Sequence, residues 1–219
     1  MKYVSIDIET TGINREKCQV LSIGAVIEDT NNPLPNEDLP KFHAAIIGRE
    51  GLYGEPFALN MNKDLIETIV QYQTASDQDE KNDIVNMTGM QFYKEEDIVI
   101  AFYNWLAQNG MVEGVTEYVP SRANSAKKVY LNVAGKNFAT FDKVFLEQLP
   151  RWKQLIDCRN RILDPAILFV DWTEDEALPG LGLCKERAGY ENHISHNALE
   201  DAMDVVEILR TKYVTSKNK

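Results

Sequence analysis

Two carboxylates, Asp7 and Glu9, end the first hydrophobic run of the chain, residues 1–8. Side chains alternate between the faces of a β-strand, so these two would project from the same face. Two carboxylates at a buried strand end repel each other and lose hydration, which is costly without compensation. Oxygen-rich sites suit Mg²⁺ or Mn²⁺. The pair therefore indicates either a divalent-cation site or an acidic strand end that meets solvent.

A third carboxylate lies within a run of apolar residues at helical spacing, Phe138, Phe141, Phe145 and Leu149. Asp142 follows Phe138 by four residues and precedes Phe145 by three, and residues at these spacings share a helix face. The sequence therefore predicts Asp142 on the inward face of a helix, where an aspartate needs a partner.

A histidine and a fourth acidic residue, His196 and Asp201, lie near the start of the last helical pattern. Five helical residues rotate by about 500°, so the two side chains can converge only if His196 precedes the helix. Asn197, with Glu200 three residues later, has the pattern of an N-cap. This cap would place His196 in the preceding loop.

These residues together resemble the DnaQ-like 3′→5′ exonucleases of the DEDDh group. The three motifs, in the family's order, are Asp7-x-Glu9-Thr-Thr-Gly12, Asn137-Phe-Ala-Thr-Phe-Asp142 and His196-x4-Asp201-Ala202. The resemblance covers residues 2–213, although residues 28–127 match only loosely. One motif alone is weak evidence, whereas the ordered set is specific. It implies an α/β, ribonuclease-H-like fold with a mixed five-stranded sheet flanked by helices.

The resemblance also implies phosphodiester hydrolysis with two Mg²⁺ or Mn²⁺ ions per active site. The implied metal ligands are Asp7, Glu9, Asp142 and Asp201. Two cations about 3.5–4 Å apart can activate the nucleophile, neutralise the phosphate and stabilise the leaving oxygen. His196 would accept the proton of the attacking water, since histidine exchanges protons near neutral pH. His43 and His193 lack such neighbours, and we interpret both as structural.

Substrate contacts are implied at four further residues. Thr10 and Phe141 would contact the terminal nucleotide, although Thr10 could instead only form the turn and Phe141 could belong to the core. Asn60 and Met61 precede a helix in the region where relatives stack the terminal base, although the match is loose there. Asp164 resembles a recurrent aspartate of the family, but the proline after it favours a turn or cap.

The elements that must position these residues are predicted from hydrophobic period and turn signals. Predicted strands are 1–8, 20–28, 41–47, 128–137 and 161–164. Predicted helices are 61–73, 95–109, 138–149, 179–188 and the segment after Asn197. Residues 74–83 and 110–125 are expected to be surface loops, although either could order over a substrate. We expect one exonuclease domain, residues 1–213, and a polar tail, residues 214–219.

Composition is that of an ordinary soluble domain. The chain has 219 residues, 44% hydrophobic and 26% charged, enough for a sizeable core. No apolar run approaches the roughly 20 residues of a membrane span. The N-terminus lacks a signal-peptide pattern, so we expect the protein to stay where it is made. Cys18, Cys158 and Cys184 are odd in number and far apart, which favours reduced thiols and a cytoplasmic location.

The net charge of −11 is unusual for a nucleic-acid enzyme, because phosphate binding favours basic surface. Bound metals would offset the active-site carboxylates locally, and a protein that holds a few terminal nucleotides needs no long basic stripe. The nearest local basic residues are Lys127, Lys128, Lys136, Lys185 and Arg187, which could equally be ordinary surface cations.

Three functions remain open from the sequence. The favoured one is a 3′→5′ exonuclease acting on the 3′ ends of single-stranded nucleic acid, releasing nucleoside 5′-monophosphates. DNA is preferred over RNA trimming only because of the spread of the family. The alternative is a non-catalytic module that binds nucleic acid or a polymerase. Such a module would typically lose a carboxylate or the histidine, and this chain keeps all five residues.

Overall fold

The computed structural model describes residues 1–119 and 127–214. The strands are β1 Lys2–Thr10, β2 Val20–Asp29, β3 Lys41–Ile47, β4 Gln91–Lys94, β5 Val129–Leu131, β6 Val133–Ala134 and β7 Ile156–Cys158. Five of them form one sheet in the order β4-β3-β2-β1-β6, and β5 pairs with β7 in a second, two-stranded sheet. The pairs β1–β2 and β2–β3 are antiparallel, whereas β1–β6 and β3–β4 are parallel. The predicted mixed five-stranded α/β fold is confirmed.

Helices flank this sheet. They are α1 Pro56–Met61, α2 Lys63–Thr74, α3 Gln78–Thr88, α4 Glu95–Gln108, α5 Asp142–Leu146, α6 Trp152–Leu155, α7 Ala166–Phe169, α8 Leu181–Ala188 and α9 Ala198–Tyr213, with a 3₁₀ turn at Asn36–Asp38. Among the described residues, no helix combines the length and the apolar character needed to cross a membrane.

The membership of the sheet differs from the prediction at one edge. Residues 161–164 form no strand, and Leu163 contributes only a single bridge to Ala134. Asp164 instead accepts a hydrogen bond from the Ala166 N–H at 2.9 Å, so it forms the turn that enters α7, as the following proline suggested. The fifth strand is β4, which pairs with β3 after a run of three helices. Its four residues are too few for a clear alternating pattern.

Two other segments also differ from the prediction. The helix predicted at 138–149 is only α5, because Asn137 has a positive φ of 57° and the chain turns through residues 138–141. The loop expected at 74–83 contains the start of α3, where the Asp77 side chain accepts from the Glu80 N–H at 2.9 Å. Parts of two predicted surface segments, residues 120–125 and 215–219, lie outside the described residues.

The two faces of the sheet have different coverings. Val4 and Ile6 of β1 pack in an apolar cluster with Ile98 and Phe102 of α4. On the opposite face, Tyr3 packs in a second cluster that includes Val205 of α9. Since Tyr3 and the carboxylates of β1 alternate onto the same side, α9 covers the face that carries the acidic motif.

Candidate active site

Strand β1 delivers the first two carboxylates to one face of the sheet. Asp7 pairs with Gly24 and Glu9 with Ser22 of β2. The register shifts between Glu9 and Thr10, so the regular ladder ends immediately after the second carboxylate. Asp7 is partly buried and Glu9 is buried. Glu9 therefore does not form the solvent-facing strand end that the sequence also allowed.

Asp142 is tied to the same strand by a hydrogen bond. It is the first residue of α5 and only 2% exposed, which confirms its predicted inward position. Its Oδ1 atom accepts from the backbone N–H of Ile8 at 3.2 Å. Because Ile8 lies between Asp7 and Glu9, this bond holds Asp142 beside both carboxylates of β1.

Helix α9 contributes Asp201, and the loop before it contributes His196. Asn197 is the N-cap, and its side chain accepts from the N–H groups of Leu199 and Glu200. His196 lies outside the helix with a φ of 53°, a left-handed conformation uncommon for residues other than glycine. The predicted cap and the predicted loop position of His196 are confirmed.

Three of the five motif residues meet closely in space. One possible ligand atom from each of Glu9, His196 and Asp201 lies within 4.8 Å of the other two. Glu9 and Asp201 are buried, whereas His196 is exposed, so the cluster is open to solvent on its imidazole side. Asp7 and Asp142 lie beside this cluster, close enough for their charges to act on its members.

Burial and mutual repulsion raise the pKa values of the clustered carboxyl groups. Burial raises the pKa of Glu9 to about 8, and the charges of Asp201 and Asp142 add to the rise. Burial, reinforced by Asp204, raises the pKa of Asp201 to about 6. Burial also raises the pKa values of Asp142 and Asp7. The upward direction of these shifts shows that the cluster favours a nearby positive charge.

The chemistry of this donor set fits a divalent cation. Carboxylate oxygens are the ligands preferred by Mg²⁺ and Mn²⁺, and an imidazole nitrogen is an acceptable neighbour for the latter. The three possible ligand atoms lie within 4.8 Å of one another, which makes these side chains candidates for holding one ion. A cation there would favour the ionised forms that burial and repulsion oppose. The described residues therefore form a plausible divalent-cation site built around Glu9 and Asp201.

A cavity of about 340 Å³ opens beside Glu9 and His196. Of the two residues expected to contact the terminal base, Met61 lines this cavity. Asn60 is exposed and lies outside the lining. The cavity is thus bounded by the motif residues on one side and by the junction of α1 and α2 on the other.

Two residues that sequence reasoning missed also line this cavity. Asn62 is 2% exposed, and its Nδ2 donates to the Thr10 carbonyl at 3.1 Å. Among the described residues, the buried Asn62 Oδ1 has no hydrogen-bond partner. His43, interpreted above as structural, lies in the wall, where burial lowers its pKa to about 4. Strand pairing aligns His43 with Gly24 and Asp7, an alignment that no local motif reveals.

The remaining predicted contacts lie at the edge of the site. Thr10 is buried and its hydroxyl donates to the Gly12 carbonyl at 2.8 Å, so this hydroxyl helps to form the turn. Phe141 is partly buried, with its ring centroid 5.2 Å from that of Phe145. Phe141 also lines a separate surface pocket with Ile13. Both residues are next to the motif carboxylates in sequence, and neither lines the cavity beside Glu9.

The five cations singled out from the sequence are all engaged with acidic side chains. The ion pairs are Lys127–Glu113, Lys128–Asp157, Lys136–Asp164, Lys185–Asp204 and Arg187–Asp175. Their positive charge is thus largely balanced within the protein, which matches the alternative that they are ordinary surface residues.

Comparisons with known proteins find the fold in solved nucleases. No protein-family model and no curated protein sequence matches the chain. A structure of E. coli Exonuclease I with a 5cy-dT13 oligonucleotide matches with a TM-score of 0.54 and 13% identity, covering 98% of this chain and 41% of that one. Cell-death related nuclease 4 matches with a TM-score of 0.52 and 14% identity, covering 97% of this chain and 63% of that one.

A zinc-bound complex of the E. coli enzyme with single-stranded DNA matches with a TM-score of 0.51 and 14% identity, covering 99% of this chain and 41% of that one. This chain spans less than two thirds of the length of each of these structures. Likeness at such low identity shows a shared fold, so the chemistry must be argued from the residues of this chain.

Proposed function

We propose that this protein is a metal-dependent 3′→5′ exonuclease that hydrolyses single-stranded nucleic acid to nucleoside 5′-monophosphates. The observation that carries this proposal is the meeting of Glu9, Asp201 and His196, with Asp7 and Asp142 beside them. Among the solved structures with a similar fold, E. coli Exonuclease I is found in complex with dT13 and with dA16 oligonucleotides. This supports DNA as the favoured substrate.

In this proposal the carboxylates Asp7, Glu9, Asp142 and Asp201 hold two Mg²⁺ or Mn²⁺ ions. When bound, the ions neutralise phosphate charge, activate water and stabilise the leaving 3′ oxygen. Asp142 is held rigidly by the Ile8 N–H, so it keeps its place when the substrate enters. Asn62 lies on the other side of the site, where its Nδ2 donates to the Thr10 carbonyl at 3.1 Å.

His196 is proposed as the proton acceptor. An imidazole nitrogen takes a proton from the attacking water as the water oxygen bonds to phosphorus and the bond to the leaving oxygen breaks. Its exposure allows the proton to pass on to solvent afterwards. Its left-handed backbone conformation, fixed by the adjacent Asn197 cap, holds the ring out of the helix and near Asp201.

The catalytic unit is proposed to be one domain, residues 1–213, acting in the cytoplasm. Cys18, Cys158 and Cys184 are all buried free thiols, as expected for a reducing compartment. A polymerase or other replication partner is left open by the residues of the site.

The decisive experiment is digestion of labelled substrates with Mg²⁺ or Mn²⁺. We expect 5′-labelled single-stranded DNA to shorten progressively from its 3′ end, with nucleoside 5′-monophosphates as products. Excess chelator should abolish the reaction, and so should the Asp142→Asn substitution. Added metal should restore activity to the chelator-treated wild type but not to the Asp142→Asn variant. Parallel digestion of duplex DNA, long RNA and short RNA oligomers distinguishes DNA degradation from RNA trimming.

Two results would contradict this function. Rapid cutting of a circular single strand is incompatible with an enzyme that needs a free 3′ end. Binding of single strands without hydrolysis under every metal condition would instead indicate a non-catalytic module.

A further inference from the structure

An exposed apolar rim borders the candidate active site. It consists of Ile13, Tyr53, Phe57 and Met61, which we call the rim. Tyr53 is 70% exposed, Phe57 79% and Ile13 77%. Large apolar side chains grouped at a surface commonly mark an interaction site. The rim is therefore a candidate binding surface.

Hydrogen bonds hold the rim against the turn that follows Glu9. The Thr11 hydroxyl donates to the Tyr53 carbonyl at 2.6 Å, and the Tyr53 N–H donates to Gln19 Oε1 at 2.9 Å. The Glu55 N–H donates to the Thr11 carbonyl at 2.7 Å. A Cβ at Gly54 would lie 2.2 Å from the Thr11 carbonyl oxygen, so the two backbones are in close contact. The aromatic side chains thus project from a fixed backbone.

The rim continues directly from the cavity beside the motif residues. Met61 lines that cavity together with Glu9 and His196. Phe57 precedes Met61 by four residues in α1, so the two lie on the same helix face, one turn of about 5.4 Å apart. Phe57 therefore lies next to Met61 on the surface of α1, beside the cavity that Met61 lines.

Two exposed cations accompany the rim. Lys17 lines a surface pocket of about 800 Å³ with Tyr53, and Arg15 lines one of about 440 Å³ with Ile13 and Phe141. Within residues 1–119 and 127–214, neither cation forms an ion pair. Glu55 and Glu16 line the same two pockets, so these cations have acidic neighbours without forming ion pairs. Aromatic side chains beside cations that lack an ion-pair partner match the chemistry of a nucleic-acid strand.

We propose that the rim binds the nucleotides immediately upstream of the 3′-terminal nucleotide, with Tyr53 and Phe57 stacking on their bases. This inference rests on the proposed exonuclease function and specifies how its substrate is held. Every base has a π-face, so stacking would accept any sequence, and a single strand leaves its bases free to stack. A rigid backbone lowers the entropy cost of each stacked pair.

The test measures binding separately from catalysis. The Asp142→Asn variant provides a background without hydrolysis, and fluorescence anisotropy then gives its affinity for long oligothymidylate and for a mononucleotide, which has no upstream base. Adding Tyr53→Ala or Phe57→Ala should weaken binding of the long strand by about 5- to 150-fold for each base no longer stacked. The preference for the long strand over the mononucleotide should shrink accordingly, while Phe57→Trp should retain it.

Tyr130→Ala is the matched control. Tyr130 is 61% exposed on β5. The carbonyl of Asn132, two residues later, accepts a hydrogen bond from the Val4 N–H, near the end of β1 opposite to Glu9. The Tyr130 variant should bind the long strand as tightly as the background protein does. Melting temperatures of these variants should match that of the Asp142→Asn background, because Tyr53, Phe57 and Tyr130 are exposed.

Failure of this inference is distinguishable from failure of the proposed function. If the wild type degrades single strands but Tyr53→Ala with Phe57→Ala binds the long strand like Tyr130→Ala, the stacking assignment is wrong. If the wild type sediments as a dimer and the same double variant is monomeric with unchanged strand affinity, the rim is a protein contact instead. A wild type without any nuclease activity overturns the proposed function itself.

Discussion

Individual carboxylates of the site are buried in an environment that opposes their ionisation. Glu9 and Asp142 are buried within the same cluster, and the pKa of Glu9 is raised to about 8. Strand alternation and the Ile8 hydrogen bond keep these groups within the cluster. The cluster therefore reduces the stability of the metal-free protein and prepares a strong site for cations.

The first prediction concerns the stability of the metal-free protein between about pH 6.5 and 8. The folded state holds protons at Glu9 and Asp142 that the unfolded chain has released, because their folded pKa values are raised. The free energy of unfolding should therefore fall as pH rises, by about 1.4 kcal/mol per pH unit for each such proton. His43, whose pKa is lowered to about 4, acts in the opposite direction only below its ordinary value of 6.5.

Thermal melts in chelator measure this slope. Glu9→Gln should reduce the dependence of stability on pH by the share of one proton. Glu67→Gln, on the exposed surface of α2, should leave this dependence unchanged. Added Mg²⁺ should raise the melting temperature more at pH 8 than at pH 6.5. A wild type that becomes more stable across this window, or a Glu9→Gln variant with the wild-type slope, would refute the electrostatic account.

The second prediction assigns the task of His196. His196→Ala should lower kcat by about 10²- to 10⁴-fold, with a much smaller change in KM, because the proposed proton acceptor would act chiefly in the transition state. The acidic limb of the pH–rate profile should disappear in this variant. His196→Asn and His196→Gln should stay nearly as slow, since neither amide accepts a proton near neutral pH.

The same variants distinguish a proton acceptor from a metal ligand. For a proton acceptor, the Mg²⁺ concentration for half-maximal activity should remain close to the wild-type value. A large increase in that concentration, with kcat restored at saturating metal, would make His196 a ligand. Retention of more than half of the wild-type kcat, with an unchanged Mg²⁺ requirement, would exclude both roles.

At the scale of elements, helix α9 is fixed at both ends. Its first turn lies directly on Gly24 of β2, in register with Asp7. Near its other end, Arg210 forms an ion pair with the fully buried Glu28. These anchors position the start of α9, and with it Asp201, against the end of β1. The active site therefore depends on how closely one helix approaches the sheet.

The third prediction tests that approach. A Cβ at Gly24 would lie 2.1 Å from the Ala198 carbonyl carbon and 2.2 Å from the Leu199 nitrogen, both backbone atoms. Gly24→Ala should therefore displace the start of α9 and destabilise the protein by about 1–3 kcal/mol. A displacement of about 1 Å should reduce kcat on the order of 10²-fold.

Gly180→Ala is the control for this change. Gly180 precedes α8 with an ordinary φ of −68°, and a Cβ there meets nothing within 4 Å among the described residues. Its melting temperature and kcat should stay near the wild-type values. Wild-type activity in Gly24→Ala would show that the site does not require this close contact.

At the scale of the whole molecule, site residues that belong to a local sequence pattern can be predicted from the sequence. Residues that reach the site only through the pairing of distant strands cannot. Asp7 and Glu9 follow from strand alternation, and His196 follows from the Asn197 cap three residues before Glu200. His43 could not be found in this way, because only the alignment of three strands brings it to the cavity. The membership of a strand in a sheet is likewise set by tertiary contacts, which explains the missed β4.

The charge of the molecule also has meaning only once the fold is known. The chain carries a net charge of −11, and the five cations near the motifs in sequence are balanced by acidic partners. Arg15 and Lys17 lie beside the rim instead. Of these seven cations, Arg15 and Lys17 are the two without an ion-pair partner among the described residues. In the proposed binding mode, stacking therefore supplies much of the affinity outside the candidate metal site.

The final prediction follows from this distribution of charge. Counterion release gives a slope of about −0.7 in log affinity against log salt for each phosphate contact on a single strand. Two contacts, at Arg15 and Lys17, give a slope of about −1.4, so affinity should fall only roughly sevenfold between about 50 and 200 mM KCl. Anisotropy titrations of Asp142→Asn with long oligothymidylate, at fixed Mg²⁺, measure this slope.

Arg15→Ala and Lys17→Ala should each reduce the magnitude of the salt slope by about 0.7. Lys128→Ala removes a cation that is paired with Asp157, so it should not change the slope. A slope steeper than about −4 would require a longer basic track than these two cations provide.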